Sequence, residues 1–163
     1  MYIKKKLSLD FLLSYCENYP TGNFCALLIT LFLLAYLTGN LMEILYANQK
    51  IEELFSDLDN IANSRNLLQK QIGLMLSKKA KLRMNQLKAA ETFQKYLDFH
   101  IGNPHSLKGD FAKFYGVDLD KHTRLIIQPE PPDLSSEALK ISKKVRIIGI
   151  VDYHGDKNEW IIS

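Results

Sequence analysis

Residues 18–42 contain no charged side chain, and this stretch limits the fold more than any other feature of the chain. Its centre, from Phe24 to Gly39, reads FCALLITLFLLAYLTG. About 20 apolar residues in a helix cross the hydrocarbon core of a bilayer, and only a helix satisfies its own backbone hydrogen bonds there. The sequence therefore predicts a transmembrane helix over residues 22–43. A cleaved signal peptide is the alternative, but no small-x-small cleavage pair follows the apolar run.

The charges on either side of this segment predict its orientation. Lys4, Lys5 and Lys6 precede it, whereas acids dominate the residues that follow it. The positive-inside rule then places the N-terminus in the cytoplasm and the C-terminus in the periplasm. We therefore expect a single-pass protein of a bacterial inner membrane, in which residues 1–21 form a basic, amphipathic cytoplasmic tail that contacts phospholipid.

A heptad repeat begins at Ile44 and continues to Tyr96. Every a and d site is apolar or aromatic except Arg65, Lys79 and Gln86, and the segment contains no proline. Such a pattern is typical of a coiled coil, so we predict a helical stalk over residues 44–101 that ends at the Gly102–Pro104 break.

The stalk is expected to bind other coiled-coil membrane proteins rather than only a second copy of itself. No acid occurs in residues 61–90, and Arg65 and Lys79 would face their own copies in a parallel homodimer. An acidic partner helix or a larger bundle avoids this repulsion, although a homodimer survives if these side chains turn outward. The predicted coil interface comprises Ile51, Leu54, Leu58, Ile61, Arg65, Leu68, Ile72, Met75, Lys79 and Leu82. Nucleic acid is not expected, because stacking aromatics do not interleave with these cations.

Residues 102–163 predict a small α+β domain that ends in a β-hairpin, which gives an α+β fold class for the whole chain. Residues 107–115 predict a short helix capped by Ser106, residues 123–128 a strand, and residues 135–140 a helical turn. Residues 144–153 and 158–163 alternate around a turn and predict the hairpin, with Gly149 at a bulge or a close packing site.

The final strand is a second candidate interface. An apolar last strand invites pairing with another strand, either residues 123–128 or a strand of a partner. Because side chains alternate along a strand, two of the three apolar residues near its end should share one face and the third should lie on the opposite face. The residues concerned are Trp160 and Ile162 on one face and Ile161 on the other.

No pattern in the sequence predicts catalysis, a cofactor or a metal. The histidines, at positions 100, 105, 122 and 154, match no zinc spacing, and the chain lacks a nucleophile elbow, a P-loop and a glycine-rich fingerprint. Asp118 and Asp120 predict a solvated loop. We therefore expect a non-catalytic protein without small-molecule substrates.

The segment VRIIGIVDYHGDKNEWIIS resembles the opening of the small β domain in inner-membrane assembly-platform proteins of type IV pili and type II secretion systems. Val145, Ile147, Gly149, Ile150 and the pair Trp160–Ile161 carry the resemblance. The resemblance implies a bitopic scaffold that links a cytoplasmic or membrane component of such a machine to extracytoplasmic partners. Divisome-type and phage spanin-type anchored coiled-coil proteins are the alternatives.

Overall fold

The structure of the protein is a computed structural model, and it describes residues 41–154 and 157–163. The helices are α1 (Gln49–Ser56), α2 (Leu67–Ala89), α3 (Phe93–Asp98) and α4 (Ser136–Ile141), with 3-10 turns at Leu58–Asn60 and Gly109–Phe111. The strands are β1 (Glu43–Tyr46), β2 (His105–Ser106), β3 (Tyr115–Asp118), β4 (Thr123–Glu130), β5 (Lys144–His154) and β6 (Lys157–Ile162).

The strands form one mixed sheet in the order β1-β5-β4-β3-β2, with β6 paired to β5 beside β1. β1 runs parallel to β5, in a register that joins Ile44 to Val145, and the other pairs are antiparallel. One edge of β5 is therefore divided: β1 occupies residues 144–147 and β6 occupies residues 150–154. The long central strand β5 thus joins the N-terminal part of the domain to its C-terminal hairpin.

The helices begin where polar side chains cap their first amides. Asn48 accepts a hydrogen bond from Ile51 N at 3.0 Å, and Asn66 accepts one from Gln69 N at 2.9 Å. Thr92 and Ser135 cap α3 and α4 in the same way. Within α2, Gly73 has a φ of 77°, which glycine adopts without a side-chain clash, and this residue divides the helix into two helical segments.

One face of the sheet packs against the helices and forms the core. Leu125 and Ile127 of β4 and Ile147 of β5 are fully buried there. Helix side chains that cover this face include Ile51, Phe55, Leu68, Met84, Leu87, Phe93 and Tyr96. The opposite face, which bears Arg124, Ile126 and Val151, is called the second face below.

The predicted fold class is wrong for residues 44–101, which do not form a long coiled-coil helix. The first predicted heptad, residues 44–50, begins in β1 and ends in the first turn of α1, and α1 itself ends at Ser56 before a 3-10 turn and a loop. The reason is that Asn48, Asn66 and Thr92 start separate helices, while the apolar heptad positions pack onto the sheet of the same chain. The α+β domain therefore begins near Met42 instead of Gly102.

The predicted transmembrane helix lies almost entirely outside the described residues. Of its span, the structure describes residues 41–43, where Met42 is buried in the core and its amide donates to Ala90 O at 3.1 Å. Among the described residues, no helix combines the length and the apolar character that crossing a bilayer requires.

The C-terminal predictions are largely confirmed. β4, α4 and the β5–β6 hairpin lie where the sequence places them. Opposite Gly149 the β4–β5 register shifts, and a side chain on Gly149 would collide with Ile162 O, so the predicted bulge and close packing site are both present. The predicted helix over residues 107–115 is wrong, because these residues form a 3-10 turn that leads into β3.

Candidate functional site

The residues of the predicted coil interface separate into two groups. Ile51, Leu54, Leu58, Ile61 and Leu68 are buried in the core of the domain, and Ile72 packs against that core. Arg65, Met75, Lys79 and Leu82 are exposed. The first half of the heptad pattern therefore reflects packing within this chain, and the second half lies on the surface of α2.

The apolar residues of the last strand do not lie on the faces that the sequence predicts. A register shift between Ile150 and Val151 pairs Trp160 with Val151 and Ile162 with Ile150. Ile162 consequently joins the core, with Ile161 packed against it, whereas the Trp160 ring contacts Phe111 on the second face at a centroid distance of 5.6 Å. The pairing strand is β5, and β4 occupies the other edge of β5.

The second face carries a polar cluster around Arg124. Asp118 at the end of β3 lies directly across from Arg124, and its Oδ1 accepts from Arg124 Nε at 3.0 Å. The guanidinium carbon lies 4.5 Å from the ring centroid of Tyr153 in β5. Asn103 Nδ2 donates to the other carboxylate oxygen of Asp118 at 3.0 Å. Arg124 thus lies over an aromatic ring, and its bond to Asp118 is made through Nε.

A glycine beside this cluster brings a histidine close to Arg124. A side chain on Gly116 would lie 3.3 Å from His105 Nε2 and 3.1 Å from Arg124 Cδ, so both side chains lean over this glycine. His105 Nδ1 lies 2.8 Å from Asn103 O. Because a carbonyl oxygen only accepts, Nδ1 carries a proton, and in the neutral ring Nε2 is then the basic nitrogen.

Three partly exposed aromatic rings form a second cluster, which includes Trp160, the residue that pairs with Val151 of the second face. Phe111 lies 5.6 Å from Trp160 and 6.3 Å from Phe114, measured between ring centroids. Lys113 Nζ lies 5.2 Å from the centre of the Phe114 ring. We call Phe111, Phe114 and Trp160 the aromatic shelf. The second face therefore combines cations with flat apolar surfaces.

Two pKa shifts follow from the packing around this face. Burial raises the pKa of Tyr153, and the positive charge of Arg124 opposes that rise, so the phenol stays protonated at neutral pH. Burial also acts to raise the pKa of Asp120, but bonds from Thr123 N and His122 N outweigh it and lower the pKa overall.

The two acids predicted to lie on a solvated loop therefore have structural partners. Asp118 belongs to β3 and pairs with Arg124, and Asp120 holds the turn between β3 and β4. The Arg124 cluster was not predicted, because Asp118 was assigned to a solvated loop instead of a strand that pairs with β4. The signal that could have found it is local: Tyr115–Asp118 and Thr123–Glu130 flank a short turn, which predicts a hairpin with Asp118 opposite Arg124.

The described residues contain no group of three or more His, Cys, Asp or Glu side chains arranged to hold a metal ion. The second face instead offers an Arg side chain and several aromatic rings. An Arg offers paired donors to phosphate oxygens, and aromatic rings stack on planar groups.

Comparisons with known proteins assign no family to this chain. No protein-family model matches it, and no curated protein matches its sequence. Among solved structures, a YoeB/ParE toxin from Agrobacterium tumefaciens is similar, with a TM-score of 0.39 and 14% identity. That similarity covers 70% of this chain and 100% of the other. The chain thus has a distant structural neighbour, and its side chains remain the basis for a functional proposal.

Proposed function

We propose that the second face of the sheet binds single-stranded nucleic acid. Arg124 bonds a backbone phosphate through its Nη groups, and a neighbouring base stacks on the aromatic shelf. The observation that carries this proposal is the Arg124 guanidinium, which lies over Tyr153 and bonds Asp118 on the same face of the sheet as the Phe111–Trp160 contact. Base stacking on aromatic side chains combined with cationic phosphate contacts is the general mode of single-strand binding.

This proposal departs from the expectation drawn from sequence, in which nucleic acid was set aside because no aromatics interleave with the cations of residues 61–90. The fold brings cations and aromatics together from other parts of the chain. Arg124 comes from β4, Tyr153 from β5 and Phe114 from the loop before β3.

A second candidate function is cleavage of RNA on the same face, and the geometry of His105 favours it. The basic Nε2 of His105 can accept the proton of a ribose 2′-hydroxyl as its oxygen attacks phosphorus. The P–O5′ bond then breaks, a 2′,3′-cyclic phosphate forms, and the protonated phenol of Tyr153 supplies the proton to the leaving oxygen. Arg124 stabilises the charge that develops on the phosphate oxygens.

Fluorescence anisotropy with a labelled 12-nucleotide RNA, and with DNA of the same sequence, tests the binding proposal. We expect the wild-type chain to bind both strands and the affinity to fall steeply with salt. Arg124→Ala should weaken binding about tenfold or more, because it removes the phosphate contact and the stacked cation. Arg65→Ala, which removes an exposed Arg before α2, is the matched control and should leave binding unchanged.

Equal affinity of the Arg124→Ala and Arg65→Ala proteins, or no binding by wild type, would overturn the proposal. The cleavage candidate has a separate readout, the appearance of 2′,3′-cyclic phosphate ends on the RNA. These ends should disappear with His105→Ala while binding persists. Binding without such ends rejects cleavage and leaves the binding proposal intact.

The membrane anchor, the inner-membrane location and the role as a pilus or secretion scaffold stay predictions from the sequence. They rest on the uncharged segment, on the charges that flank it and on the C-terminal resemblance, and the scaffold no longer has a coiled-coil stalk to support it. A reporter with periplasmic activity fused after Ser163 tests the orientation, because an inactive fusion contradicts it.

A further inference from the structure

Helix α2 has one buried face and one face directed to solvent. After Gly73, Ser77, Ala80, Met84 and Leu87 are buried against the sheet. On the other side Met75 is 69% exposed and Leu82 is 37% exposed. Ala89, also exposed, follows Leu82 by one heptad. Because residues seven apart lie on one side of a helix, Met75, Leu82 and Ala89 form a single stripe, which we call the α2 ridge.

The α2 ridge is flanked by cations. Lys78 and Lys79, both exposed, lie between its first two members. Two acids of the same chain lie near this helix: Asp59 bonds Lys81, and Asp120 lies close to Lys79. An apolar stripe bordered by lysines is complementary to a helix whose apolar stripe is bordered by acids.

We infer that the α2 ridge binds an amphipathic helix of another protein that carries Glu or Asp beside its apolar stripe. A second copy of this chain fits poorly, because two such ridges would bring their lysines together. The partner helix instead covers Met75 and Leu82 while its acids pair with Lys78 and Lys79. This surface belongs to a helix on the core side of the sheet, whereas the proposed nucleic-acid site lies on the second face.

The test uses the full chain and two synthetic peptides of 28 residues. Both carry Leu at the heptad a and d sites; one carries Glu at the e and g sites, and the other carries Lys there. We expect the Glu peptide to bind saturably, with an affinity that falls as salt is added, and the Lys peptide not to bind. The double substitution Met75→Ser/Leu82→Ser should weaken binding about tenfold or more, because these residues are the apolar anchors.

Leu67→Ser is the matched control, since Leu67 is an exposed apolar residue of the same helix outside the ridge. It should leave binding unchanged. Lys78→Glu/Lys79→Glu should reverse the preference, so that the Lys peptide now binds more tightly than the Glu peptide. This charge reversal keeps the inference falsifiable even if the apolar double variant folds poorly.

Three outcomes would overturn the inference. Equal binding of the Glu and Lys peptides would show a nonspecific apolar surface. Sedimentation that reveals a dimer of the wild-type chain, abolished by Met75→Ser/Leu82→Ser, would assign the ridge to a second copy. Loss of nucleic-acid affinity with Lys78→Glu/Lys79→Glu, without any peptide binding, would assign the lysines to nucleic acid.

Discussion

The two faces of the sheet differ in what their side chains contact. On the core face, Leu125, Ile127 and Ile147 are fully buried in the cluster that the helices share. On the second face, partly exposed Arg124 alternates with buried Ile126, and the rings of Phe111 and Trp160 are in contact. The same strands therefore supply stability on one side and accessible polar chemistry on the other. Substitutions on the core face should change unfolding, whereas substitutions on the second face should change binding.

The largest effect is expected on the core face. Leu125→Ala removes a fully buried side chain and leaves a cavity, so the free energy of unfolding should fall by about 2–5 kcal/mol. Gln128→Ala, a partly exposed site on the same strand, is the control and should cost less than about 1 kcal/mol. Urea unfolding followed by circular dichroism measures both changes. Equal losses in the two variants would remove the distinction between the faces.

Gly149 lies where the backbone of β6 approaches β5 closely. Gly149→Ala places a methyl group against Ile162 O and near Trp160 Cζ3, so β6 must move away from β5. We expect a loss of about 1–3 kcal/mol in stability, typical of overpacking. Faster hydrogen exchange should be confined to the β5–β6 pair. Uniform destabilisation without local exchange would show that the close approach does not hold the hairpin.

Asp118 has two opposing effects on the second face, because it orients Arg124 and also offsets the positive charge of Arg124. Asp118→Asn keeps an acceptor and removes the negative charge, so nucleic-acid affinity at low salt should rise about threefold. Asp118→Ala removes the acceptor as well, and affinity should fall instead. Anisotropy with the labelled RNA measures both. A change of the same sign in the two variants would contradict an orienting role for Asp118.

The smallest effect concerns pH and the turn before β4. The pKa of Asp120 is lowered in the folded chain, so its carboxylate adds stability above the unfolded pKa. That contribution is lost as the pH falls through the folded pKa. Asp120→Asn lacks it, so the stability gap between wild type and variant, less than about 1 kcal/mol, should close between about pH 5 and pH 2. Urea midpoints across this range measure the gap, and a constant gap would contradict the assignment.

How far the sequence predicts the fold depends on whether the signal is local. The β5–β6 hairpin and α4 were predicted because their turns and the Ser135 cap lie within the segments themselves. β1 was missed because its pairing partner, residues 144–147, lies about a hundred positions away, and the apolar side chains of β1 also fit a heptad. Residue pairs that distant leave no local pattern in a single sequence.

The candidate site was only partly predictable for the same reason. Trp160 was predicted as an interface residue because it lies on the apolar last strand. Arg124, Tyr153 and His105 come from three strands, and only the sheet brings them near one another. The heptad repeat was misleading because a helix that packs on a sheet and a helix in a coiled coil need apolar residues at similar intervals.

The divided edge of β5 also determines how this domain resists mechanical force. Because β1 lies parallel to β5 and ends at Tyr46 beside Ile147, tension applied to the chain ahead of Leu41 acts along the strand. The hydrogen bonds of this pair are then loaded together in shear and do not open one at a time. Arg146 reinforces the joint, since it bonds Tyr46 O at 3.2 Å and Glu130 Oε2 at 2.9 Å, which ties three strands at one point. Pulled from its N-terminal side, the domain should therefore yield abruptly at high force rather than by gradual peeling.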